Sequence, residues 1–200
     1  MSRVSDEHLE TRRSQILDAA RRCFMRNGFH GTSMHDVIAE SGLSTGAVYR
    51  YFSGKDELIT AIASEGVNAL AAAIEPVLAK ETLPSLQDVL TVMFERLEQI
   101  HQERGLAGLA VQVWAEALQS PQMRLWFGES ITRARGWIRD LIVAEQARGT
   151  WQASASPEAT AQVLATLLPG FLLQLALLDD LDAETFSTGL AGLGFSRHSD

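Results

Sequence analysis

The chain has 200 residues, 46% of them hydrophobic and 21% charged, with a net charge of −8. This composition excludes a disordered or fibrous polymer, and the length suits one domain or two small ones around a sizeable core. A single cysteine, Cys23, excludes an internal disulfide and fits a reducing, cytoplasmic setting. The N-terminal run MSRVSDEHLETRRS has no apolar core and does not read as a signal peptide. The longest apolar run, Val163 to Leu178, is 16 residues and is interrupted by Thr166, Pro169 and Gln174. It falls short of the ~20 residues that span a bilayer, so no membrane partner is expected.

The acidic total is unevenly placed. Residues 1–55 carry 8 Lys/Arg against 6 Asp/Glu, whereas residues 56–200 carry 9 against 19. Screening limits electrostatic reach to about 8 Å at physiological salt, so the first quarter can meet phosphate while the remainder repels it.

In chain order, a first helix is expected from about Thr11 to Asn27. Ile16, Ala20, Cys23 and Phe24 recur at helical spacing, and Gly28 stands where the helix should stop. Phe29 should plug a small core. Thr32 or Ser33 then caps a second helix, Ser33 and Asp36 forming a capping box, with Met34, Val37 and Ile38 turned inward. Ser41-Gly42 makes a turn and Ser44 caps a third helix, Thr45 to Phe52. Val48 and Phe52 are four apart and face inward. Thr45, Gly46, Ala47, Tyr49, Arg50 and Tyr51 are left for solvent or DNA.

That residue set suits base reading. Gly46 and Ala47 permit close approach, Thr45 offers a hydroxyl and a methyl, and Arg50 can donate two bonds to a guanine. Tyr49, Tyr51 and Lys55 can hold phosphates. Two short helices joined by a tight turn, the second of them small and polar on one side, form the pattern of a helix-turn-helix.

A long helix then runs from Lys55 to about Leu78, with Asp56 and Glu57 at the positive end of its dipole and Pro76 kinking or ending it. Glu81 to Pro84 is a loop. Further helices are expected over Pro84–Gln102, Leu106–Leu118, Pro121–Arg148 and Pro157–Leu178. A last short one is capped by Asp182 and reaches Leu193, followed by a disordered tail from Arg197. The helix from Pro157 is apolar almost all round, so one small domain covers only part of it. This points to a homodimer through the last two helices. Gly170 permits close helix approach. Pro169 frees the carbonyl of Ala165, so a bend is expected there.

Gly28-Phe29 followed by Thr32-Ser33-Met34, then Gly42-Leu43-Ser44, then Gly46 to Phe52 and Lys55-Asp56-Glu57-Leu58, together resemble the TetR family of bacterial transcriptional regulators. The resemblance is close over the first quarter. It is weaker at Trp114-Ala115-Glu116-Ala117, Pro121 and Pro169-Gly170-Phe171. Ile38 departs from it, since many relatives carry alanine there.

The resemblance implies an all-α chain of about nine helices working as a homodimer on a double-stranded DNA operator. A helix-turn-helix DNA-binding domain would occupy 1–54, and a helical effector-binding and dimerisation domain 55–200. Thr32, Tyr51 and Lys55 would hold phosphates. Ser33 and Ser44 join Thr45, Gly46, Ala47, Tyr49 and Arg50 in the DNA-binding set. An effector pocket is implied within the helical body. Phe94, Trp114, Phe127, Phe171 and Gln174 are its candidate lining, for a small, largely apolar molecule.

The histidines, His8, His30, His35, His101 and His198, have no metal-ligand spacing. No phosphate loop, nucleophile elbow or paired-carboxylate motif occurs. No metal, cofactor or catalytic residue is expected. Two rival readings stay open: a DNA-binding regulator without an effector, and a helical carrier or enzyme whose helix-turn-helix is vestigial.

Overall fold

The computed structural model describes residues 3–78, 84–152 and 154–192. All the regular structure among them is helical: α1 (Arg3–Gly31), α2 (Met34–Ser41), α3 (Thr45–Tyr49), α4 (Lys55–Leu78), α5 (Leu86–Arg104), α6 (Leu106–Ala117), α7 (Pro121–Arg148), α8 (Pro157–Leu164), α9 (Leu167–Leu177) and α10 (Ala183–Gly192). Counting α8 and α9 as one interrupted helix gives the nine expected from the sequence. The chain forms two compact units that divide between Val67 and Asn68, inside α4.

The first unit is built on α1. Ile16, Leu17, Ala20, Cys23 and Phe24 are fully buried, and Val37 of α2, Val48 of α3 and Leu58 and Ile59 of α4 close the same core. At Gly28 the backbone takes φ 72 and ψ 170, a combination open essentially to glycine alone. The α-helical conformation breaks there, which turns Phe29 back so that its ring meets Phe24 edge-on at 4.6 Å. Burying a ring of this size contributes roughly 1.5–3 kcal/mol. The helix starts well before Thr11, the expected N-terminus, and resumes for a short turn after Gly28.

Helix α2 carries the expected capping box. Ser33 Oγ accepts from the Asp36 N–H at 3.2 Å, and Asp36 Oδ2 accepts from the Ser33 N–H at 2.8 Å. It ends at Gly42 in the left-handed conformation, φ 67 and ψ 13. Ser44 Oγ then accepts from the Ala47 N–H at 3.3 Å and starts α3. The third helix is shorter than expected, five residues ending at Tyr49. The chain nevertheless keeps turning, because the amides of Tyr51 and Phe52 both donate to the Val48 carbonyl, at 3.0 and 3.1 Å.

The second unit centres on α5, whose Leu86, Leu90, Phe94 and Leu97 are buried with Ile138 and Ile142 of α7, Leu164 of α8, Phe171 and Leu175 of α9, and Leu190 of α10. Three rings close its middle: Phe94–Phe171 at 4.9 Å, Phe94–Phe186 at 4.7 Å and Phe171–Phe186 at 5.0 Å. Caps fix most of the boundaries. Ser85 and Asp88 box α5, and left-handed Gly105 ends it. Ser120 with Pro121, and Ser156 with Pro157, start α7 and α8. The expected bend near Pro169 appears as a break at Ala165–Thr166, between α8 and α9. A proline cannot donate to the carbonyl four residues back, here Ala165.

Pro76 does not end α4, which continues to Leu78. The expected loop at 81–83 and the tail from Arg197 lie outside the described residues. By length and composition alone, 55–76 and 157–177 could cross a bilayer. In the fold, Leu58, Ile59, Ile62 and Ile74 of the first stretch are buried, and the second is interrupted.

One long-range bond was not visible in the sequence. Glu145 near the end of α7 is 4% exposed. Its Oε1 accepts from the Leu86 N–H at 3.1 Å and from Arg148 at 3.0 Å, and its Oε2 accepts from the Thr150 hydroxyl at 2.5 Å. It satisfies an otherwise orphaned amide at the start of α5.

Candidate nucleic-acid interface

The exposed edge of the first unit is α3 and the residues flanking it. Val48 (0% exposed) and Phe52 (3%) seat the helix on the core. Ser44, Thr45, Gly46, Tyr49 and Arg50 are exposed, while Ala47, Tyr51 and Lys55 are half-buried. Arg50 makes no ion pair and Tyr49 no side-chain hydrogen bond among the described residues. A Cβ placed on Gly46 would meet nothing within 4 Å, so no neighbour inside the fold requires a glycine there. The absence of bulk serves whatever approaches from outside.

Lys55 is the first residue of α4. A cation at a helix N-terminus opposes the dipole, so helix stability does not explain it. Its Nζ donates to the Phe29 carbonyl at 2.7 Å, which aims the ammonium along the turn after α1. An ammonium has three donors, and one of them is given to this carbonyl. The following turn is clasped by Glu57, which accepts from both the Ser53 N–H at 2.7 Å and the Ser53 hydroxyl at 2.8 Å. Those bonds, the backbone one foremost, hold the Glu57 carboxyl below the usual range. The Ser33 N–H and hydroxyl do the same for Asp36.

Two residues of the expected DNA-binding set are already engaged. Thr32 is 2% exposed, and its hydroxyl points inward to the carbonyls of Gly28 at 2.8 Å and Cys23 at 3.1 Å. The turn at Gly28 brings those carbonyls under it. Its side chain therefore ties the turn to α1 and is not presented to a phosphate in this structure, contrary to the expectation. Ser33 is exposed, but its hydroxyl proton is spent on Asp36 at 2.7 Å.

Several supports escaped the sequence reading. Gln15 Nε2 donates to the Ser41 carbonyl at 2.8 Å and fixes α1 against the turn after α2. Glu40 accepts from Arg22 at 2.7 Å and Arg26 at 3.1 Å, and these two bonds lower its pKa. The guanidinium of Arg13 lies over the Phe52 ring, 5.6 Å from its centre. Only the capping pair Ser53–Glu57 has a local signal, an acid four residues after a serine. The others join residues far apart in sequence.

The five candidate effector residues differ in their surroundings. Phe94 and Phe171 are fully buried and covered by each other and by Phe186, so neither ring has a free face. Gln174 is exposed. Trp114 is half-buried against the core, and Phe127 is half-buried edge-on to Trp126 at 4.7 Å. His101 accepts from the Ala107 N–H at 3.2 Å. An open groove along α7 is lined by Pro121, Leu125, Gly128 and Thr132, edged by Arg124, Glu129 and Arg133, and includes none of the five.

A short helix seated by two apolar residues, with an unspent small and polar edge and a flanking lysine, defines a helix-turn-helix DNA-binding domain. Residues 16–62 match the family model for bacterial regulatory proteins of the tetR family, and residues 84–189 match the model for the C-terminal domain of BetI-type transcriptional repressors. The chain belongs to the TetR family of bacterial regulatory proteins. Among its relatives, the HTH-type transcriptional regulator YfiR of Bacillus subtilis is 44% identical over 66 residues, which are 33% of this chain and 32% of that protein. The match therefore spans about a third of that relative's length. The HTH-type transcriptional regulator UidR of Escherichia coli is 25% identical over 182 residues, 90% of each chain. The solved structure of Salmonella enterica GusR superposes with a TM-score of 0.69 at 27% identity, covering 92% of this chain and 95% of that one.

Proposed function

We propose that the protein is a cytoplasmic, homodimeric transcriptional repressor whose paired helix-turn-helix domains bind a palindromic operator and are released by a small molecule. The observation that carries the reading is the unspent edge of α3: Ser44, Thr45, Gly46, Tyr49 and Arg50 are exposed above a buried Val48. Thr45, Ala47, Tyr49 and Arg50 would meet base edges. Ser44, Tyr51 and Lys55 would hold the backbone. All of these precede residue 56, so the reading function belongs to residues 1–54 with Lys55, although the compact unit extends to Val67. Residues 55–200 would supply dimerisation and effector response.

Dimerisation is supported by an exposed apolar stripe along α8 and α9. Leu173 (43% exposed) and Leu177 (73%) stand one turn apart on α9, and Val163 (64%) is exposed on α8. A two-fold partner would cover it, with α10 completing the interface through the last two helices of the nine-helix count. Paired half-sites about 34 Å apart then supply the affinity that one small head lacks. The effector is small and largely apolar. Of its candidate lining, Trp114 and Phe127 retain partly open faces. Release requires that it prefer the non-binding conformation, a coupling of typically ~1–3 kcal/mol.

The test is anisotropy binding to the DNA upstream of the protein's own gene, against unrelated DNA, at two salt concentrations, with Tyr49→Ala as control and Leu173→Glu to break the dimer. Tight binding that favours one DNA and is lost in both variants is expected. No binding even at low salt would overturn the reading in favour of a carrier or enzyme. DNA binding by a monomeric Leu173→Glu variant at wild-type affinity would remove the dimer from it.

A further inference from the structure

Behind the reading edge, the first unit contains a network of charges that the DNA contacts do not use. Arg21 of α1 is only 7% exposed. A guanidinium that far from water needs fixed partners. It has Asp18 at 2.6 Å on its own helix and Glu65 Oε2 on α4. The other carboxylate oxygen of Glu65 accepts from Arg13 Nη1 at 3.3 Å. Arg13 in turn covers the face of Phe52, which hangs from the last turn of α3 through its amide bond to the Val48 carbonyl at 3.1 Å. A continuous path of contacts therefore runs from Glu65 of α4, through Arg13 of α1, to Phe52 at the base of the recognition helix, with Arg21 holding the other oxygen of Glu65.

We propose that Glu65 is a positioning residue for DNA reading, acting through Arg13 and Arg21 to fix the angle at which α3 is held. This rests on the DNA-binding reading above. Apolar contacts from Val48 and Phe52 hold α3 down but are not directional. Base edges are read only when the donors are held within about 0.5 Å of their productive positions. The charge network supplies the direction. One carboxylate divides its two oxygens between two arginines, and the guanidinium carbon of one of them stands 5.6 Å from the centre of the Phe52 ring.

Charge and position predict opposite outcomes for Glu65→Gln. Removing an anion makes the head more positive, so electrostatics alone tightens binding to every DNA. Loss of positioning weakens binding to the preferred sequence and leaves other DNA unaffected or tighter. Arg21 retains Asp18, so the variant is expected to fold. Arg13→Lys is the second arm, since it keeps the charge but loses the flat cover over Phe52.

The experiment uses the full-length protein and a duplex enriched by the wild type from a random pool, with a scrambled duplex as reference. The ratio of the two affinities is expected to fall about tenfold in each variant, comparable to losing one base pair of discrimination. An unchanged ratio in both variants, or a parallel change on both duplexes, would overturn the proposal. If the wild type enriches no sequence, the DNA-binding reading itself fails, and this inference with it.

Discussion

Lys55→Met separates the bond that the structure shows for this ammonium from the phosphate contact proposed for it. The substitution keeps the apolar stem and removes the charge. Within the fold it deletes a charge-assisted hydrogen bond of 2.7 Å to the Phe29 carbonyl. Such bonds contribute about 1.5–3 kcal/mol in full burial. Lys55 is half-buried, and the Phe29 carbonyl still accepts from the Thr32 N–H at 3.4 Å. The expected loss in stability is therefore at the low end, about 1–2 kcal/mol. On DNA, losing one phosphate contact flattens the slope of log affinity against log salt by about 0.9. Between 50 and 200 mM salt, that makes the variant's affinity fall roughly threefold less than the wild type's. Urea unfolding measures the first effect and anisotropy titrations across salt the second. A full loss of stability with an unchanged salt slope would show that Lys55 only clamps the turn after α1, and the phosphate assignment would be wrong.

Thr32→Val keeps the shape of a buried side chain and removes the hydroxyl that serves the Gly28 and Cys23 carbonyls. One proton is shared between two acceptors, so a stability loss of about 1–2 kcal/mol is expected. Operator affinity of the folded variant should stay within about twofold, less than a lost hydrogen bond to phosphate would cost. A large uniform loss of affinity with unchanged stability would restore Thr32 to the phosphate set. Glu145→Ala strands the Leu86 amide and takes one partner from Arg148 and one from the Thr150 hydroxyl, which keeps the backbone carbonyl of residue 145. Thermal unfolding should show a loss of about 3 kcal/mol, and a negligible change would mean that α5 is not anchored there. Asp36 is held below its ordinary pKa mainly by the Ser33 N–H. Its contribution is complete above the unfolded value of about 3.9 and is lost as pH falls through the lower folded value. The stability difference between wild type and Asp36→Asn should therefore be constant above about pH 5 and shrink below about pH 4, and a constant difference down to pH 2 would refute the assignment.

Local chemistry made the first unit legible. Ser33, Gly42 and Ser44 each have one dominant structural use, as cap, left-handed turn and cap, and all three take it. The same logic placed the ends of α7 at Pro121 and Gly149 and foresaw the interruption of the apolar helix near Pro169. What stayed hidden depends on which distant residue arrives. Thr32 looks like an exposed cap in the sequence, and only the turn at Gly28 carries its hydroxyl over two carbonyls. Glu145 meets Leu86 across 59 residues, and Arg13 meets Glu65 across 52, with no periodic signal between them. Aromatic content marked the second unit as well supplied with rings, but composition cannot tell a ring facing a cavity from one facing another ring. Phe94 and Phe171 proved to be the latter.

The acidic total and the proposed DNA contact are compatible because of where the carboxylates stand. From Ser41 to Lys55 the chain has no Asp or Glu, and it carries Arg50 and Lys55. Of the nearest acids, Glu40 is neutralised by Arg22 and Arg26. Asp36 and Glu57 are bound to the backbone at the starts of α2 and α4, and Asp56 stands exposed beside Lys55. With screening over about 8 Å, a phosphate at the α3 edge is governed chiefly by these few groups of the first unit. Residues 41–55 carry only these two cations, too few phosphate contacts to hold DNA of any sequence tightly. On the proposed reading, affinity then comes from correct docking of α3, in which Tyr49, Thr45 and Gly46 would all engage at once. A reading head of this design discriminates by geometry, and residues that set the angle of α3 matter to it as much as those that touch the bases.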